Sequence, residues 1–417
     1  MGILIISFIG IYVYINETRL FIITIWLVLL SPKLAEINGI FAYIPYALYI
    51  LLIIKIFEKK FIAKEKIFIN KYLGFTTLGL LLINAVSLIY NNYDTNIILL
   101  TFTFLKKFSY IIFYIFFTNM NVEKKYININ MKLILVYSLI QFPLIIFQFI
   151  SNTNRDNISG LFGKSGTGIL IQIFLYILVL IIVNKENFIK IKNFQFVFVS
   201  LLLMYSALAE VKIGFILIPL IYLMTIFLKK GSFRTILAIL IIGLLISVSY
   251  KSFIKFYPDQ NLFGSSEEFV DYAKNAYGVD SVNRFGFMNL LKSTVLTNKF
   301  KIYFGTGLGT TNPSNINVLA GAVAIEYDYL NLHFFTLPLN IVENGIIGTI
   351  MWISIYIYIL AKNVYMYFKK RTDKSIINIM SIIITVIFII YNSSIISSSI
   401  IILILWLILV VNNGIDD

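Results

Sequence analysis

The chain has 417 residues, 59% of them hydrophobic and only 13% charged, with a mean hydropathy of +0.89. Soluble domains carry roughly 25% charged residues, so this composition excludes a soluble globule and predicts an all-α integral membrane protein. The net charge of +14 has no basic, aromatic-interleaved soluble module to carry it to nucleic acid. The lack of cysteine removes disulfides and thiolate chemistry, and a lone histidine removes a multi-histidine metal site.

In chain order, the opening "MGILIISFIGIYVYI" has no basic segment and no small-residue cleavage site, which predicts a retained helix over 3–16. Apolar runs follow at 20–31, ending at Pro32, and at 40–56, 72–90, 97–118, 133–150, 166–183, 194–208, 213–228, 235–250, 336–361, 375–391 and 395–411. A bilayer crossing takes roughly 20 apolar residues, and these runs lack the period-two alternation of barrel strands. The expectation is a polytopic helical bundle of about 12–13 transmembrane helices, each satisfying its own backbone hydrogen bonds in lipid. The connectors 55–71, 119–132, 184–193, 229–234 and 362–374 hold 20 of the 34 basic residues against 5 acids. The positive-inside rule places them in the cytoplasm, so 91–96, 151–164, 207–213 and 251–335 face outward. The predicted organisation is an N-terminal bundle (1–250), one large extracytoplasmic loop (251–335) and C-terminal helices (336–417). With seven basic and seven acidic residues the loop is no polybasic tail, and "RFGFMNLLKSTVL" within it has the pattern of an amphipathic helix, which predicts order.

Two glycine-rich stretches resemble phosphate loops and fail the test. "GTGLGTTN" places Gly305, Gly307 and Gly309 at alternating positions, but Thr310 stands where a dinucleotide turn needs its third glycine. In "LFGKSGTG", Gly163-Lys164-Ser165 ends like a P-loop, yet Ile158 occupies the position of its first glycine. The three glycines are read as a tight turn returning the loop to the membrane, with amide contacts to a diphosphate as the alternative. Lys106 and Lys107 sit inside the apolar run 97–118, where charges mark a cavity or a pathway, or a shifted helix boundary. Glu267, Glu268 and Asp271 share a helical face and read as a solvated face or a metal or acid/base cluster. Glu343 reads as a helix-start residue or a substrate contact.

The order of "R…SGLFGKSGTG", "EVKIGF", "NRFGFMNLLKSTVLTNKFKIYFGTGLGT" and "HFFTLPLNIVENGIIG" over residues 133–361 resembles the Wzy-type O-antigen and capsule polymerase superfamily, which also contains O-antigen ligases. The resemblance implies transfer of a glycan from undecaprenyl diphosphate to another acceptor without a nucleotide sugar. It implies a multi-pass protein of the bacterial cytoplasmic (inner) membrane with an outward-facing active site. Donor and acceptor would both be lipid-linked oligosaccharides amid membrane lipids, with a chain-length regulator and a flippase as further partners, no nucleic acid, and no cofactor or metal. Arg155 stands where the family tends to place an arginine before "SG-F", Lys212 where it often has a serine-arginine pair, and Arg284 at the start of the pre-glycine helix. These three would bind the diphosphate, with Arg284 neutralising the leaving group, and the glycines would line it. His333 would take the acceptor's proton, since an imidazole with a pKa of about 6.5 accepts protons near neutrality. Other readings stay open: a salt bridge from Arg284 to Asp280, headgroup snorkelling for Arg155, an ion pair of Lys212 with Glu210, and a hydrogen-bonding or interfacial His333. The competing functions are a ligase acting on another acceptor and a transporter or flippase of the lipid-linked sugar.

Overall fold

The structure is a computed structural model that describes residues 14–93, 95–151, 154–164, 166–183, 194–229, 233–256, 281–314 and 316–412. Among the described residues the regular structure is helical throughout. The helices are α1 (Glu17–Ile37), α2 (Ile44–Phe57), α3 (Lys71–Asn91), α4 (Ile97–Lys107), α5 (Ser109–Asn119), α6 (Lys124–Ile150), α7 (Thr167–Val183), α8 (Phe194–Leu208), α9 (Lys212–Lys229) and α10 (Phe233–Phe256). Short helices α11 (Phe287–Ser293), α12 (Lys299–Phe304) and α13 (Ala322–Glu326) precede α14 (Thr336–Lys370), α15 (Asp373–Tyr391), α16 (Ser394–Ser397) and α17 (Ser399–Val411).

The asparagines of this chain start several of these helices. Asn16, Asn70, Asn96 and Asn298 each accept a backbone N–H of the first turn through the side-chain oxygen, satisfying donors that have no partner within the helix. Among the described residues seven helices are long and apolar enough to cross a membrane, or eight if the bent pair α4–α5 is one span, and α7, α8 and α17 are shorter apolar helices. The sequence reading counted every apolar run as a crossing. The region 3–13 lies outside the described residues, and α7 and α17 are buried on nearly every side, the pattern of helices enclosed by others. The outer helices instead expose apolar side chains, including Phe75, Ile89 and Phe227 at 73%, 81% and 82%. Apolar exposure on this scale marks an interaction surface, and on membrane-length helices it points to a membrane protein.

Three expected boundaries differ. Helix α1 continues through Pro32 to Ile37. The run 97–118 breaks directly after Lys107, with a bend of 56° between α4 and α5. Helix α14 breaks at Gly345, whose φ of 65° and ψ of −176° lie in a region that only glycine occupies readily. Beside the main core a second apolar cluster gathers Val282, Leu291, Val295, Leu296, Val323, Leu330, Leu332 and Phe335 with Ile341 and Val342 of α14. This packing seats the segment 281–335 on the start of α14. The predicted amphipathic stretch supplies α11, which buries Leu291 there.

Candidate functional site

The break in α14 leaves the last carbonyls of its first half without helical partners. The glycine turn supplies them: the N–H of Thr306 donates to Val342 O at 2.7 Å and that of Gly307 to Glu343 O at 2.9 Å. The approach is so close that a Cβ on Gly305 would lie 2.3 Å from Glu343 O, and one on Gly345 would lie 2.2 Å from Tyr303 O. The N–H of Gly305 donates to Lys301 O at 2.8 Å. The turn of Gly305, Gly307 and Gly309 therefore caps a broken helix.

Below this turn the charges of the broken helices meet. Lys107 forms an ion pair with Glu343, with side chains only 9% and 1% exposed. Thr311 donates to Glu343 Oε1 through its N–H at 3.2 Å and its hydroxyl at 2.5 Å, and Lys106 Nζ donates to Asn312 Oδ1 at 3.0 Å. The bends after Lys107 and at Gly345 are thus joined by one ion pair. Glu343 acts at the break rather than at the helix start, and Lys106 and Lys107 mark the shifted boundary that the sequence left open.

A separate open basin of about 450 Å³ gathers three of the other candidate residues. Arg155, Lys212 and Arg284, distant in sequence, all line it. The short turn Arg155–Asn157 carries the first of these, whose Nη1 donates to Glu210 Oε2 at 2.6 Å. Lys212 opens α9, with its Nζ 3.9 Å from Glu210 Oε1. Arg284 Nε donates to the Tyr391 carbonyl at 3.3 Å, and its guanidinium lies 4.9 Å from the Tyr391 ring centroid and 5.6 Å from that of Phe335. Those contacts hold the guanidinium beside two aromatic rings. Thr167 and Gly168 bring the N-terminal end of α7 to the same basin, adding the partial positive charge of aligned peptide dipoles. Three cations and the acids Asp156 and Glu210 make the described lining net positive.

Asn392, Ser394 and Ser397 line the same basin. Asn392 O accepts from the N–H (3.1 Å) and hydroxyl (2.8 Å) of Thr336, and Ser394 Oγ donates to Gln172 Oε1 at 2.7 Å. No role is assigned to this segment from sequence, where Ser397 falls within the apolar run 395–411. The signal for it is "NSSIISS" itself, a serine-rich stretch at the junction of two largely apolar runs.

His333 stands apart from that lining, although its neighbours Phe334 and Phe335 belong to it. It occupies the turn Leu332–Phe334, half-buried, with its ring 4.4 Å from that of Phe334. Burial lowers its pKa below the ordinary value; Asp328 works against this and Lys106 adds to it. Neutral imidazole is the form a proton acceptor requires. Gly305, Gly307 and Gly309 do not line the basin either. At the start of "GLFGKSGTG", Gln148 and Gln141 accept the N–H groups of Gly160 and Leu161 at 2.9 and 2.8 Å, which braces the backbone there. Glu267, Glu268, Asp271 and Asp280 lie outside the described residues, among which no group of three or more metal-ligating side chains forms. Protein-family models, curated proteins and solved structures give no match to this chain.

Proposed function

We propose that this protein is a membrane glycosyltransferase that polymerises undecaprenyl-diphosphate-linked repeat units into O-antigen or capsular polysaccharide on the outer face of the cytoplasmic membrane. The convergence of Arg155, Lys212 and Arg284 on one net-positive basin, beside the N-terminal end of α7, carries this reading. A diphosphate leaving group needs planar, oriented cations and helix N-termini around its developing charge. Arg284, held by Tyr391 and Phe335, meets that need best. In the reaction an acceptor sugar hydroxyl bonds to the anomeric carbon of the growing glycan. The bond from that carbon to the diphosphate oxygen breaks, and undecaprenyl diphosphate leaves with the electron pair. The acceptor proton is assigned to His333, which lies outside the basin lining but adjoins Phe334 of its wall in sequence. Arg155 and Lys212 are shared with Glu210 at rest, and a bound diphosphate competes with that carboxylate for them.

Purified protein supplied with a matched lipid-linked repeat is expected to yield a glycan ladder without a nucleotide sugar, and Arg284→Ala at equal protein level is expected to yield far less of it. Dependence on a nucleotide donor would exclude the mechanism. In cells, loss of lipid-linked ladders on deletion marks a polymerase, whereas their accumulation marks a ligase. One observation favours a different class. The Gly345 break with its buried Lys107–Glu343 pair has the form of the discontinuous helices of secondary transporters. Movement of a lipid-linked sugar across proteoliposomes, with no change in its length, is the outcome that would select that reading.

A further inference from the structure

The stretch "IEYDYLNLHFF", residues 325–335, alternates acids with tyrosines, then leucines with polar residues, and ends at the basin. Leu330, Leu332 and Phe335 are buried in the second apolar cluster, which anchors the segment. Hydrogen bonds hold its backbone as well. Val282 N–H donates to Leu330 O at 2.9 Å, Ser281 Oγ to Tyr329 O at 3.2 Å, and Phe334 N–H to Asn331 O at 3.1 Å. Asn331, at a φ of 54°, joins the two short helical turns Asp328–Leu330 and Leu332–Phe334. What this anchored backbone leaves outside is aromatic: Tyr329 is 53% and Phe334 41% exposed, and Tyr327 and His333 are partly exposed.

The tyrosines cluster. The rings of Tyr327 and Tyr329 lie 6.3 Å apart, and Tyr93, between α3 and α4, packs on the same second core as Tyr327. The Tyr327 hydroxyl is pushed up to a pKa of about 12, by burial first and then by Glu326, with Tyr93 and Tyr329 adding to it. Glu326 and Asp328 are exposed beside these rings, and Asp328 acts on His333.

Three kinds of occupant suit exposed tyrosines, and the neighbours choose among them. Headgroup belts pair tyrosine and tryptophan with basic anchors, whereas Glu326 and Asp328 stand here. A cationic ligand sits on tyrosine faces, but Lys301 already donates to Tyr93 Oη at 3.2 Å with its Nζ 5.4 Å from that ring's centroid, and it repels a second cation. A sugar offers C–H faces to rings and hydroxyls to carboxylates, which matches the mixture present. Tyrosine gives it broad, rigid contact area at a small cost in side-chain entropy, and the anchored backbone lowers the ordering cost further.

We infer that Tyr327, Tyr329 and Phe334, with Glu326 and Asp328, form a saccharide-binding track that leads the acceptor glycan past His333 to the basin. Naming that glycan as the acceptor rests on the proposed transferase activity; the binding of saccharide does not.

The test is saturation-transfer NMR on the purified full-length protein in detergent. The probes are the oligosaccharide repeat released by mild acid from the host's lipid-linked pool, and choline as a cation. Sugar ring protons are expected to gain saturation from the protein and choline none. Tyr329→Ala and Phe334→Ala are each expected to weaken the sugar signal several-fold at unchanged Tm, and Tyr329→Trp to keep it. In transfer assays the alanine variants are expected to need several-fold more acceptor for half-maximal rate, with the loss recovered at saturation. Glycan binding by a wild-type protein that makes no ladder would defeat the transferase reading and support the track. No sugar signal, a signal unchanged in the alanine variants, or a response to choline in place of sugar would overturn the inference. Should an alanine variant fail to fold, Glu326→Gln with Asp328→Asn keeps every ring and decides: the sugar signal is expected to fall, and an unchanged signal counts against the track.

Discussion

The basin and the buried junction both assemble charges from distant parts of the chain, and they treat those charges in opposite ways. In the basin, Arg155 is 48% exposed and shares Glu210 with Lys212. In the junction, Lys107 and Glu343 are 9% and 1% exposed and committed to each other. Water at the basin screens each pairing, so partners exchange at small cost and an incoming anion can compete. At the buried junction an unpaired charge is strongly penalised, so the same kind of contact fixes geometry. Burial, more than residue type, separates a ligand-facing charge from a structural one.

The sharpest break in this comparison comes from Glu343→Ala, which leaves Lys107 buried without its partner and is expected to cost about 3–5 kcal/mol, read by thermal unfolding in detergent. The double change Lys107→Met with Glu343→Leu is expected to cost clearly less than Glu343→Ala alone. A double variant as unstable as the single one would show that the pair does not secure the two breaks. Arg284→Ala tests the other region: transfer is expected to fall about 10²–10³-fold, as for loss of one oriented donor to a developing anion. Arg284→Lys should recover little, since an ammonium lacks the planar fork that binds a diphosphate in two places.

Backbone strain divides the regions on a smaller scale. Gly286 and Gly345 both have positive φ, but a Cβ on Gly286 meets nothing within 4 Å whereas one on Gly345 meets Tyr303 O at 2.2 Å. Gly286→Ala is expected to cost about 1 kcal/mol, and Gly345→Ala distinctly more because two backbone segments must separate. Equal melting temperatures for these variants would remove the glycine turn as a clamp on α14.

His333 gives a pH signature. Its folded-state pKa is lowered, chiefly by burial, so the neutral ring is favoured in the fold. This contribution to stability is present above the unfolded pKa of about 6.5 and is lost as pH falls through the folded value. Melting temperature should therefore decline on acidification below about pH 6.5 with a component that His333→Gln removes; a histidine-dependent gain on acidification would reverse the assignment. The smallest effect belongs to Arg155→Ala. Its exposed pair with Glu210 is worth less than about 1 kcal/mol, so melting should hardly move while diphosphate-dependent transfer weakens. A large loss of stability there would place Arg155 with the junction instead.

Helix positions were legible because they depend on local terms. The apolar run 194–208 coincides with α8, and 213–228 and 375–391 each fall within two residues of α9 and α15 at both ends. The interruptions at Phe108 and Gly345 were less legible. Lys106 and Lys107 signalled the first, but Gly345 lies in "ENGIIG", whose sequence is compatible with an unbroken helix. Of the candidate residues, Arg155, Lys212 and Arg284 meet at one basin, while His333 and the three glycines do not line it. Glycine spacing records only that unusual backbone angles are needed, and whether the freed amides meet a ligand or a broken helix depends on what packs against them.

Taken by itself, the sequence determined an all-helical, membrane-length architecture and a small set of charges that stand out in so apolar a chain. Apolar transfer, capping by Asn16, Asn70 and Asn96, and helix propensity all act within a few residues, so each can be read along the chain. Only the tertiary structure decided that Lys107 faces Glu343 while Arg284 faces Tyr391, and that Asn392–Ser397 joins the basin. Those pairings follow from which helix faces pack together and where water is excluded, and both are properties of the whole bundle.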